Sequence, residues 1–96
     1  MTQKLTQTER DALAGALRQW TATEGGDAIR RSFRFRDFGE AWGFMSRVAL
    51  LAAKHDHPPR WSNAGGAVEI ALSTPDAGGL TGKDVSLARA IDALAP

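Results

Sequence analysis

The chain has 96 residues, a formal net charge of +1 and no cysteine. That length makes one small domain, residues 1–96, whose modest core gains from association between copies. The near-neutral charge argues against gripping nucleic acid or an anionic membrane, the missing thiols exclude disulfides and thiolate metal sites, and no apolar run is long enough to span a bilayer, so a soluble cytoplasmic protein is expected.

A first helix is predicted from about Thr8 to Trp20. Thr6 and Glu9 have the spacing of a capping box, in which each side chain satisfies the other's free backbone N–H. Leu13, Leu17 and Trp20 then form an apolar stripe. Glu24 to Asp27 reads as a turn. From Ala28 to Phe35 the pattern alternates, with Ile29, Phe33 and Phe35 on one face and Arg30, Ser32 and Arg34 on the other, as in a strand with one wet side.

Asp37 and Glu40 open the longest helix, about Phe38 to Lys54. Phe38, Ala41, Trp42, Met45, Val48, Ala49 and Ala52 mark its expected core stripe. Phe44 and Leu51 add a second apolar face, which in so small a domain is read as a contact between copies. Pro58-Pro59 stops the helix. Trp61–Ala64 and Ala67–Thr74 flank Gly65-Gly66 as a hairpin, and Val68, Ile70 and Leu72 alternate with Glu69, Ala71 and Ser73. Thr81 with Asp84 caps a last helix striped by Val85, Ala88, Ile91 and Leu94. This order points to an α+β fold with helices packed on one face of an antiparallel sheet.

The chain's only two histidines lie in His55-Asp56-His57-Pro58-Pro59-Arg60-Trp61. Imidazole titrates near neutrality, so this segment is the natural candidate for acid/base chemistry. A metal reading of His55 and His57 lacks an evident third ligand.

Several stretches together resemble the pterin-4a-carbinolamine dehydratases. They are Phe33-Arg34-Phe35-Arg36-Asp37-Phe38, Phe44-Met45-Ser46-Arg47-Val48-Ala49, Asp56-His57, Trp61-Ser62-Asn63, Val68 to Thr74, and Asp76-Ala77-Gly78-Gly79-Leu80-Thr81 with Asp84. The resemblance runs from about Gly26 to Leu94. It implies three helices on a four-stranded antiparallel sheet (α-β-β-α-β-β-α), assembled as dimers or tetramers. It also implies loss of water from a 4a-hydroxytetrahydropterin to give the quinonoid dihydropterin, a hydro-lyase reaction with no metal or organic cofactor.

The departures from that family are as informative as the match. Where the family reads Asp-His-His-Pro-Glu-Trp, this chain has Asp56-His57-Pro58-Pro59-Arg60-Trp61. A further histidine of the family falls on Pro75, and a glutamate falls on Ala53. The expected proton carrier is His57, with Asp56 to orient it. Asp76 and His55 are candidates for a vacated role. By resemblance, His57, Pro58, Thr74, Pro75, Asp76 and Ala77 line the substrate pocket, with the prolines offering only backbone carbonyls. Trp61 is expected to pack beneath the site, and Asp84 to act as a helix cap.

Two functions follow as expectations. The first is pterin dehydration, at a rate reduced by the missing histidines. The alternative is a catalytically silent module acting in protein–protein interaction or assembly. The expected partners are a pterin substrate and further copies of the chain, bound through the sheet edge and the Phe44 and Leu51 face of the long helix. Neither nucleic acid nor membrane is expected, since the Arg30 and Arg34 face reads as a solvated sheet.

Overall fold

The computed structural model describes residues 3–95. Helix α1 (Gln7–Ala16) begins with the expected capping box: Thr6 Oγ1 accepts from Glu9 N at 3.1 Å and Glu9 Oε1 accepts from Thr6 N at 2.8 Å. It ends at Ala16 rather than near Trp20. Leu17 leaves helical geometry (φ −122°, ψ 67°), which lets Leu17 and Trp20 insert into the core. There Trp20 Nε1 donates to Asp92 Oδ1 at 2.8 Å.

Four antiparallel strands make one sheet in the order β1-β2-β4-β3, with β1 at Thr21–Ala22, β2 at Ile29–Arg34, β3 at Arg60–Ala64 and β4 at Ala67–Leu72. β1 is the strand that alternation does not reveal, since both its residues are exposed. In β2 and β4, Ile29, Phe33, Val68, Ile70 and Leu72 are buried, while Arg30, Ser32 and Arg34 face out as their spacing predicts. Arg31 shares the buried face. Its guanidinium sits 4.4 Å from the Phe33 ring centroid and 2.6 Å from Asp92 Oδ1, so the charge is paired where it meets the core.

The hairpin turns at Gly65-Gly66, but only Gly65 takes a left-handed backbone (φ 57°). Gly66 is needed for space. A Cβ there would lie 2.3 Å from Phe35 O, and Gly66 O accepts from Phe35 N at 2.8 Å.

Helix α2 (Phe38–Lys54) starts where Asp37 Oδ1 accepts from Glu40 N at 2.9 Å; the Glu40 carboxylate reaches one residue further back, to Arg36 N. Its buried stripe is Ala41, Phe44, Met45, Val48 and Ala52. Phe44 corrects the sequence expectation. It is fully buried, with its ring 4.8 Å from Phe33 and 4.9 Å from Phe35, so it belongs to the core and not to a contact between copies. Leu51 is half-buried against that same core. The outward face carries Phe38 (54% exposed), Trp42 (58%) and Leu50 (73%), with Phe38 and Trp42 stacked at 6.0 Å. Helix α3 (Gly82–Leu94) completes the layer, burying Leu87, Ala88 and Ile91. All three helices cover one face of the sheet. No helix among the described residues is long and apolar enough to cross a membrane.

Candidate active site

The end of α2 sets the position of His57. His55 is the last residue near helical geometry (φ −83°, ψ −4°), and Asp56 then turns left-handed at φ 51°. Asp56 N donates to Ala53 O at 3.1 Å and His57 N to Ala52 O at 3.0 Å. This pair of bonds is the Schellman termination, in which a left-handed residue reverses the chain and the following N–H caps an orphan carbonyl. Glycine is the usual occupant; Asp tolerates the conformation better than most residues. Pro58 and Pro59, with no N–H to place, carry the chain on to β3.

The reversal drives the His57 side chain into the protein, where Nε2 lies 2.6 Å from Asp84 Oδ1, with 6% and 0% of the two side chains exposed. Asp84 also serves α3. Its Oδ2 accepts from Thr81 N at 2.9 Å and from the Thr74 hydroxyl at 2.8 Å. Thr81 Oγ1 lies 2.8 Å from Thr74 Oγ1 and accepts from Lys83 N at 3.2 Å. Counting protons resolves the network. Thr74 gives its hydrogen to Asp84, so Thr81 gives its own to Thr74. With Asp84 as a carboxylate it accepts from three donors, which assigns the His57 proton to Nε2.

That leaves Nδ1 as the working nitrogen of His57. It has no hydrogen-bond partner among the described residues. No buried side-chain nitrogen or oxygen there is left unpartnered, so Nδ1 reaches solvent. A neutral ring offers a lone pair at Nδ1, and a protonated ring offers a proton there.

His57 opens on a cleft of about 400 Å³ between the α2–β3 connection and the β4–α3 connection. Of the residues expected in the pocket, His57, Pro58, Thr74, Pro75 and Asp76 line it, as does Asp56. Ala77, half-buried at the end of the short helical turn Pro75–Ala77, is not part of the wall. His55 is half-buried behind the turn and does not line the cleft either. Among the described residues no group of three or more candidate metal ligands comes together.

Three expectations change at this point. The carboxylate that holds His57 is Asp84, not its sequence neighbour Asp56, which is exposed and makes no side-chain hydrogen bond among the described residues. Asp84 is both helix cap and histidine partner. Trp61 is not core: it is 36% exposed and, with Ala49, Ala53 and His57 itself, walls an apolar recess beside the cleft. Arg60 and Lys83 also line the cleft and form no ion pair among the described residues. A separate apolar recess of about 120 Å³ between α1 and the sheet, lined by Leu13, Leu17 and Trp20, has no group there able to exchange a proton near neutrality.

Known proteins point to the same chemistry. The family described as Pterin 4 alpha carbinolamine dehydratase matches residues 3–94. A protein of Rhodopseudomonas palustris strain BisB18, carried under the provisional name pterin-4-alpha-carbinolamine dehydratase, is 53% identical over 95 residues, which is 99% of this chain and 94% of the relative. A likewise provisionally named protein of Rhizorhabdus wittichii strain RW1 is 55% identical over 91 residues, 95% of this chain and 94% of the relative. The crystal structure of a Brucella melitensis protein described as a transcriptional coactivator/pterin dehydratase superposes with a TM-score of 0.91 at 42% identity, covering 97% of this chain and 99% of that one.

Proposed function

The chain belongs to the pterin-4-alpha-carbinolamine dehydratase family, and from that premise we propose that its His57 cleft removes water from a 4a-hydroxytetrahydropterin to give the quinonoid dihydropterin. The observation that carries this reading is the buried Asp84 carboxylate on His57 Nε2, which leaves Nδ1 without a partner among the described residues on a side chain that lines an open cleft. A cleft of about 400 Å³ has the size of an ordinary small-molecule site.

In this reading a protonated Nδ1 donates to the leaving hydroxyl at C4a. Asp84, on the ring's far nitrogen, stabilises the imidazolium that makes this donation and keeps the ring oriented as it returns to neutral. Pro58 and Pro75 face the substrate as apolar walls that also expose backbone carbonyls. Thr74 acts from behind, holding the β4–α3 connection to Asp84. One positioned imidazole contributes about 10²–10⁴ in rate, so a single-histidine site still supports turnover above the spontaneous reaction.

We read the chain as one catalytic domain that assembles with further copies of itself. The support for assembly is the outward arc of α2, where Phe38, Trp42, Ser46, Ala49, Leu50 and Ala53 are all exposed. The same arc favours the second reading, an interaction module without turnover.

One experiment separates the two readings. Freshly generated 4a-hydroxytetrahydropterin is dehydrated with the wild-type protein, with His57→Ala, and with no protein. Turnover above the blank that falls by about 10²-fold or more in the variant is the expected result. A wild-type rate equal to the blank sinks the dehydratase reading and leaves the α2 face as the functional surface.

A further inference from the structure

Dehydration across C4a and N5 moves two protons, one to the departing hydroxyl and one away from N5. The cleft holds a single imidazole, and Pro58 and Pro75 carry no proton at all. The second group must come from the remaining wall. The titratable or charged side chains there are Asp56, Arg60, Asp76 and Lys83, with Asp84 buried behind His57. The two cations are poor acceptors at neutral pH, and Asp84 is saturated by three donors.

Of the two carboxylates left, Asp56 springs from the same turn as His57 and so shares its wall, in a left-handed conformation set by the end of α2. Asp76 comes from the other wall. It lies in the Pro75–Ala77 turn, which is closed by Thr74 N to Gly79 O at 3.0 Å, Gly79 N to Thr74 O at 3.3 Å and Ala77 N to Thr74 O at 3.0 Å. Thr74 is in turn bonded to Asp84, the carboxylate that holds His57. Asp76 and His57 are therefore fixed in one frame through Thr74 and Asp84, on opposite sides of the cleft. The Asp76 carboxylate is exposed and makes neither hydrogen bond nor ion pair among the described residues.

We propose that Asp76 is the second proton-transfer group of this cleft, so that the site pairs one imidazole with one carboxylate. The inference rests on the dehydratase reading above and deepens it. The C4a–O bond breaks as the hydroxyl takes the proton from His57 Nδ1 and leaves as water. The N5–H electron pair forms the C4a=N5 double bond, and the N5 proton passes to the Asp76 carboxylate. Asp76 then loses that proton to solvent, and His57 regains one from solvent, which restores the starting state.

The test is kcat and KM against pH for the full-length wild type, Asp76→Asn, Asp76→Glu, and Asp76→Asn combined with Pro75→His, with the unfolding midpoint of each. The expected result is a kcat lowered by about 10²-fold in Asp76→Asn, with KM and midpoint near wild type, and largely restored in Asp76→Glu. Pro75→His is expected to recover rate in the Asn background and to move the acid limb of kcat to higher pH, because an imidazole takes up its proton at higher pH than a carboxylate does. Wild-type turnover that disappears in His57→Ala but stays within about threefold in Asp76→Asn overturns this proposal and leaves the dehydratase reading standing. Loss through KM alone also overturns it, because it assigns Asp76 to binding. A wild type with no turnover takes down the reading itself and this proposal with it.

Discussion

His57 and Asp84 stand 27 positions apart in the chain and meet Nε2 to Oδ1 at 2.6 Å in a buried hydrogen bond. The contact joins the end of one helix to the start of another, and it dictates which imidazole nitrogen is left to work. Asp84→Asn tests this directly. The amide presents donors toward His57, so the ring gives up its Nε2 proton and the tautomer reverses to Nδ1–H. Nitrogen-resolved NMR of the single buried imidazole is expected to show the switch. The midpoint falls by the equivalent of about 2 kcal/mol, since charge-assisted hydrogen bonds are replaced by neutral ones. An unchanged tautomer in the variant removes Asp84 from its role.

Asp56 is placed by backbone geometry, at φ 51° in the terminus of α2. Only glycine adopts that conformation without steric cost; an L residue loses about 1–2 kcal/mol there, less for Asp and Asn. Asp56→Gly is therefore expected to keep or slightly raise the unfolding midpoint. Asp56→Val, β-branched and unable to bond locally, should lower it by about 2 kcal/mol and disturb the His57 imidazole signals with it. Equal midpoints for Gly and Val would show that the left-handed turn does not govern the helix end.

The hairpin glycines separate in the same way. Gly65 has a left-handed backbone in open space, so Gly65→Asn is expected to cost under about 1 kcal/mol. At Gly66 an added methyl carbon would meet Phe35 O at 2.3 Å, so Gly66→Ala forces backbone apart and breaks the Phe35 N to Gly66 O bond. A loss of about 2–4 kcal/mol is expected, read from denaturant unfolding. Similar costs at both positions would contradict this division.

Local signals carry most of the fold. The capping pairs Thr6–Glu9 and Thr81–Asp84 lie three residues apart, so spacing alone reveals them, and β4 alternates over its whole length. β1 stays hidden because a two-residue edge strand with both side chains exposed has no period to detect. The orientation of α2 is also illegible in the sequence. The helix carries two apolar arcs, and only the Phe33 and Phe35 rings waiting on the sheet decide that Phe44 turns inward while Phe38 and Trp42 turn out. Arg31 falls by alternation on the face of Ile29 and Phe33, and nothing local accounts for a charge there; only the fold brings Asp92 and the Phe33 ring to it. At the site, residue type makes His57 visible but not its partner. Sequence proximity favours Asp56, and only the packing of α3 against the end of α2 supplies Asp84.

The outward arc of α2 yields the last prediction. Phe38, Trp42 and Leu50 remain more than half exposed, and Phe38 stacks on Trp42 with solvent on the outer side. Covering each such side chain is worth about 1 kcal/mol or more, and a two-fold axis across the helix covers both copies at once. Sedimentation of the wild type at micromolar concentration is expected to give a species larger than one chain. Trp42→Glu places a charge at the centre of that arc, so it should shift the protein to monomer while moving the monomer's own stability by less than about 1 kcal/mol, because Trp42 contributes little to the core. Phe44→Glu serves as the contrast. It buries a carboxylate among Phe33, Phe35 and Val48 and is expected to unfold the chain outright. A wild type that stays monomeric throughout sinks the self-assembly proposal and leaves the exposed arc to a different protein.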